Sequence, residues 1–143
     1  MLDDMQLLIF NRRNQNLAKR LLASLVGPFS NITFEYFDSF SAFIDRLHRP
    51  YRNIAVIVFI PNGVRAVEAM IAVRDLLDDM KVICLLKSDD ERSKEIVHHL
   101  YPRYISYSDN DFSDILEVLS KMRMASRGQF TPRKTAGSKA IAG

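Results

Sequence analysis

Residues Asn53–Gly63 read NIAVIVFIPNG. Seven apolar residues run unbroken from Ile54 to Ile60, most of them β-branched, and Pro61-Asn62-Gly63 stops them. A run this short and this apolar reads as a strand buried on both faces, the central strand of a parallel sheet. In open α/β sheets the chemistry gathers at the carboxyl ends of such strands. Here that end carries Phe59, Ile60 and Pro61, and none of them holds a metal, accepts a phosphoryl group or moves a proton.

The flanking segments alternate in the same way. Gln6–Phe10 (QLLIF) reads as a first strand. A helix over Gln15–Val26 follows, with Leu17, Leu21, Leu22 and Leu25 on one face, and Gly27-Pro28 ends it. Ile32–Phe37 (ITFEYF) is a second strand. Asp38 or Ser39 caps a short helix that presents Phe40, Phe43, Ile44 and Leu47. After the central strand the spacing of Val67, Met70, Ile71 and Arg74 predicts a helix over Val64–Leu77. Lys81–Leu86 (KVICLL) is a fourth strand. Ser88-Asp89-Asp90-Glu91 then supplies a cap and an acidic first turn for a helix showing Ile96, Val97 and Leu100 before Pro102. Tyr104–Tyr107 (YISY) is a fifth strand. Asp109 or Asn110 caps a last helix with Phe112, Ile115, Leu116, Leu119 and Met122 at helical spacing. Strand and helix alternate five times, so the expected class is α/β, a five-stranded parallel sheet with helices on both faces.

At 143 residues and 48% hydrophobic, the chain has enough apolar material for one cored domain. No apolar run approaches the roughly 20 residues of a membrane span, and MLDDMQLL lacks the basic start of a signal peptide. A cytoplasmic protein with no membrane partner is the expectation. The net charge of +3 is unevenly placed. Residues 126–143 hold Arg127, Arg133, Lys134 and Lys139 with no acid, which leaves 16 basic and 17 acidic side chains in the rest. The body is near neutral, so nucleic acid is disfavoured as a partner except through this segment, which reads as a flexible basic tail. The single Cys84 lies in an apolar run and reads as a core thiol. His48, His98 and His99 have no metal-ligand spacing, and no phosphate-cradling glycine motif occurs.

Over about Met5 to Ala125 this order resembles the receiver domain of bacterial two-component response regulators, a flavodoxin-like three-layer (βα)5 sandwich. The resemblance implies a domain over 1–125 followed by the 126–143 tail. In that family an acidic pair after the first strand helps hold magnesium. An Asp ending the third strand takes a phosphoryl group, and a hydroxyl after the fourth strand and a Lys after the fifth contact it. On that frame Asn11 and Arg12 stand at the acidic pair, Phe59 at the acceptor, Leu86 at the hydroxyl and Tyr107 at the lysine, with Lys87, Ser88 and Ser108 close by. A shift of one residue does not restore the site, because Val58 and Ile60 flank Phe59 and no carboxylate lies between Ile54 and Ala66. The resemblance is therefore to a degenerate receiver, or pseudo-receiver, with no catalytic set, no metal site and no cofactor. Arg12 would be a cation near the old pocket, either paired with Asp89 or Asp90 or simply solvated.

Tyr101, Arg103, Tyr104 and Tyr107 gather around the fifth strand, with Phe112 following. Tyr and Arg are common anchors of interfaces. The resemblance places the usual partner surface on the fourth helix, fifth strand and fifth helix, where receivers also pair as homodimers. The same tyrosines equally fit a cover over the sheet edge. The expected function is phosphorylation-independent docking to a protein of a signalling or transcription pathway. Two alternatives stay open: a small-molecule sensor using the strand-end pocket, and an unusual phosphoreceptor using Ser88 or Ser108.

Overall fold

The computed structural model describes residues 5–11, 15–27, 32–49, 54–107 and 111–127. Strand β1 is Met5–Asn11, β2 Thr33–Phe37, β3 Ile54–Ile60, β4 Lys81–Leu86 and β5 Tyr104–Tyr107. Helix α1 is Gln15–Val26, α2 Phe40–Leu47, α3 Val64–Ala72, α4 Glu91–Ile96 and α5 Ser113–Arg127. All strand pairs are parallel and the order is β2-β1-β3-β4-β5. This is the doubly wound order in which the chain reverses direction across the sheet between β1 and β3.

The unbroken apolar runs have a simple cause. Successive side chains of a strand point to opposite faces, and here both faces are covered. Leu7, Ile9, Val56, Val58, Ile60, Ile83 and Leu85 enter a core built with Leu17, Leu21 and Leu25 of α1 and Ile115, Leu119 and Met122 of α5. Leu8, Phe10, Ile57, Phe59, Val82, Cys84 and Leu86 enter a second core with Phe43 of α2, Val67 and Met70 of α3, and Val97 and Leu100. The molecule is thus a three-layer sandwich, with α1 and α5 on one face of the sheet and α2, α3 and α4 on the other.

Local chemistry sets the helix ends. Ser39 is the N-cap of α2, and its side chain accepts from the Ala42 N–H at 3.3 Å. Asp90 caps α4, accepting from the Ser93 N–H at 3.1 Å and the Ser93 hydroxyl at 2.6 Å. Three boundaries differ from the periodicity. The helix expected to reach Leu77 leaves α geometry after Ala72 and continues as a 3-10 turn, Arg74–Leu77. The helix after Asp90 likewise tightens into a 3-10 turn, Val97–Leu100. Residues three apart eclipse in 3-10 geometry, so Val97 and Leu100 are both buried. The last helix begins at Ser113 rather than around Phe112, because Asp111 accepts from both the Ser113 N–H (3.2 Å) and its hydroxyl (2.7 Å). It runs to Arg127, two residues beyond the point where the apolar pattern stops. Residues 128–143 and Asp109 and Asn110 lie outside the described residues. No described helix is long and apolar enough to cross a membrane.

Candidate functional site

The reversal between β1 and β3 places their carboxyl ends beside each other. Phe10 pairs with Phe59 in register, and Asn11 with Ile60. On the other side Phe59 pairs with Cys84. Asn11 is buried, and its backbone carbonyl accepts from the Tyr36 hydroxyl at 3.3 Å. Phe59 is 1% exposed. Its ring stacks on Phe10 at 5.7 Å, Phe10 stacks on Phe43 at 4.8 Å, and Phe37 meets Phe43 edge-on at 5.7 Å. Phe40 approaches Phe10 at 5.9 Å. Five aromatic rings therefore fill the space under α2 at the strand ends, in offset geometries that favour their quadrupoles. Next to them Cys84 is fully buried, and burial pushes its thiol up to about 12, so no thiolate forms near neutrality.

Leu86 and Tyr107 pair in register at the ends of β4 and β5. Leu86 is buried and Tyr107 half-buried, both on the α2–α3–α4 side. The Lys94 ammonium of α4 lies 5.3 Å from the centre of the Tyr107 ring and also pairs with Glu91 at 3.1 Å. That is a cation–π contact with its cation held from a second side. Nothing in the sequence marks Lys94 for this position, because the contact depends on where α4 crosses β5. Arg12 and Ser108 lie outside the described residues, so the expected pairing of Arg12 with Asp89 or Asp90 does too. Asp90 is engaged as the α4 cap.

The residues around β5 do not form one surface. Tyr104 packs toward α1 and α5, and Tyr107 toward α4, because they are an odd number of positions apart on one strand. The Tyr104 hydroxyl donates to Asp114 Oδ2 at 2.9 Å, and the Ser106 hydroxyl donates to the same oxygen at 2.6 Å. Burial, then the bond and charge of Asp114, raise the Tyr104 phenol above its ordinary value. Phe112 is 5% exposed, lies in the α1–α5 core and is covered by the Arg20 guanidinium at 5.2 Å. It belongs to the interior rather than to a face shared with the tyrosines. Tyr101 is 78% exposed and Arg103 is exposed. His98 and His99 are exposed as well, and no described group of three His, Cys, Asp or Glu side chains stands close enough for a metal.

No family model matches the chain, and neither does any curated protein sequence. Among solved structures, the crystal structure of a response regulator receiver domain protein (CheY-like) from Methanospirillum hungatei JF-1 is similar. It aligns over 87% of this chain and 98% of its own, at a TM-score of 0.58 and 16% identity. The fold is that of a CheY-like receiver domain. At this identity the likeness is one of fold, and the strand ends show how a receiver fold is finished here. All three central strands end in buried side chains, namely Asn11, Ile60 and Leu86, and β3 carries no carboxylate at any position.

Two further groups were not marked by the sequence pattern. Arg46 of α2 is buried and pairs with Glu35 of β2 at 2.9 Å, while Gln6 of β1 also donates to that carboxylate. Lys81, inside the apolar KVICLL run, is half-buried, and burial first, then the Arg103 charge, lowers the basicity of its ammonium. An Arg next to Leu47 looks solvated until the sheet order brings Glu35 near.

Proposed function

We propose that this chain is a non-catalytic signalling or regulatory domain that works by docking to a partner protein, without phosphorylation of its strand ends. The observation that carries the reading is the aromatic fill at the β1–β3 reversal. Aspartyl phosphorylation at a strand end needs a carboxylate nucleophile open to solvent and a cation bound by oxygen ligands. The corresponding space here holds Phe59, Phe10 and Phe43, stacked and buried. The contact of Lys94 with Tyr107 supports a domain kept in one conformation, since moving that ring would break a held cation–π pair.

The test is to incubate the full chain with magnesium and acetyl phosphate and then measure its intact mass and thermal midpoint. Neither is expected to change. A stoichiometric phosphoryl adduct would overturn the reading, and its position after proteolysis would show whether Ser88 or Ser108 carries it.

A further inference from the structure

Strand β2 is held in place differently from its neighbour. It stands at one edge of the sheet and pairs with β1 alone among the described strands. Its five residues, Thr33-Phe34-Glu35-Tyr36-Phe37, are exposed or half-buried, whereas β1 buries every side chain but Gln6. Aromatic rings occur on both of its faces. Phe34 packs toward α1 and α5, and Phe37 meets Phe43 of α2. Burial says little about the register of such a strand, because a slip by one residue replaces rings on one face with rings on the other.

Glu35 carries the information that burial lacks. It lies opposite Leu8, on the same face as Gln6. Its carboxylate accepts from Arg46 Nε at 2.9 Å and from Arg46 Nη2 at 3.3 Å, and the Gln6 side-chain amide donates to the same group. Arg46 is 6% exposed, and its Nη1 donates to the Arg49 carbonyl at 3.3 Å, just past the end of α2. Both donors are placed without help from β2. Gln6 pairs in register with Ala55 of the central strand, and Arg46 follows from α2, which is seated by the buried Phe43 and Leu47. One carboxylate thus meets β1 and α2 together.

We propose that Glu35, Arg46 and Gln6 form a register pin, a conformational device that selects one pairing of β2 on β1 and contributes specificity rather than net stability. In the observed register the carboxylate reaches both donors. A slip by one residue turns Glu35 to the other face, opposite Leu7 or Ile9, where neither Arg46 nor Gln6 lies. A slip by two keeps the face but carries Glu35 about 7 Å along the strand, which breaks its hydrogen bonds. Each slipped pairing leaves the Arg46 guanidinium buried without its carboxylate, and that is costly. The observed pairing recovers little beyond the cost of taking both charges out of water. The sheet edge that the cores secure least is therefore fixed by three polar side chains.

The experiment compares variants of the full chain by urea unfolding, backbone NMR and amide hydrogen exchange. Glu35→Met combined with Arg46→Met removes both charges and keeps the apolar volume. It is expected to fold with a urea midpoint at or above that of Arg46→Met alone. It is also expected to show more than one set of β2 amide signals, with exchange about tenfold or more faster than in the parent. Gln6→Leu leaves the ion pair in place and is expected to speed exchange in β2 while leaving β3 and β4 unchanged. Lys121→Met with Glu117→Met removes an exposed ion pair of α5 and keeps a single set of β2 signals. A double variant at Glu35 and Arg46 that does not fold, or that unfolds more readily than Arg46→Met, makes the pair a source of stability and overturns the proposal. A single set of β2 signals at the parent's protection overturns it too, because the aromatic pattern then suffices for the register. Parent-like exchange in Gln6→Leu removes β1 from the device and has the same consequence.

Discussion

Phe59 shows how much one residue decides at a strand end. Its ring is in contact with Phe10 and is closed over by the second core, so truncation leaves a hole that rigid neighbours fill only in part. Phe59→Ala is expected to lower unfolding stability by about 3–5 kcal/mol, measured as a lower urea midpoint with an unchanged m-value. Phe59→Asp is expected to lose more, because it places a carboxylate among the apolar side chains of the second core. A folded, phosphorylatable Phe59→Asp variant would contradict this account of the strand end. The apolar identity of Phe59 was legible from the uninterrupted run around it. Its stack on Phe10 and Phe43 was not, since those rings come from β1 and α2 and only the parallel register sets them side by side.

At the scale of elements, periodicity located every strand and α-helix among the described residues and missed where helices change type. The turns Arg74–Leu77 and Val97–Leu100 keep apolar residues at spacings that an α-helix also allows. The switch to 3-10 geometry follows from the need to bury Leu77, or Val97 and Leu100, before the chain enters the next strand. Tyr101 closes the second of these turns in the left-handed region. Tyr101→Gly removes that steric conflict and is expected to stabilise the fold by about 1 kcal/mol, less the added freedom of glycine in the unfolded chain. Thermal and urea unfolding of the variant against the parent checks the sign. A destabilised variant would mean that the exposed ring makes stabilising contacts. Sequence spacing placed Tyr104 and Tyr107 near each other, but strand pleating sends them to opposite layers.

Across the whole molecule, one polar group ties the edge strand to the sheet centre and to α2. Glu35 of β2 accepts from Arg46 of α2 and from Gln6 of β1. Burial works to raise the Glu35 carboxyl, and the Arg46 bond and charge, with Gln6, outweigh it, so its pKa lies below the ordinary 4.5. A depressed folded-state pKa means that the unfolded chain binds the proton more readily. The stability from this group is therefore complete above the ordinary glutamate value and is lost as pH falls through the lower folded value. Arg46→Met is expected to cost about 1–3 kcal/mol at neutral pH and to flatten the fall in urea midpoint over that acid window. An unchanged acid limb in the variant would show that other carboxylates govern it.

The chain's alternation of apolar runs and helical stripes was enough to state the α/β class, the number and order of elements and the absence of a carboxylate on the central strand. Those are properties of neighbouring residues, because burial on two faces or one stripe repeats with a short period along the chain. The pairs Arg46–Glu35 and Lys94–Tyr107 join residues 11 and 13 positions apart on different elements. No short period encodes them. Parallel pairing, the β2-β1-β3-β4-β5 order and the crossing of each helix over the sheet bring those side chains together, and these arise from long-range packing of the two cores.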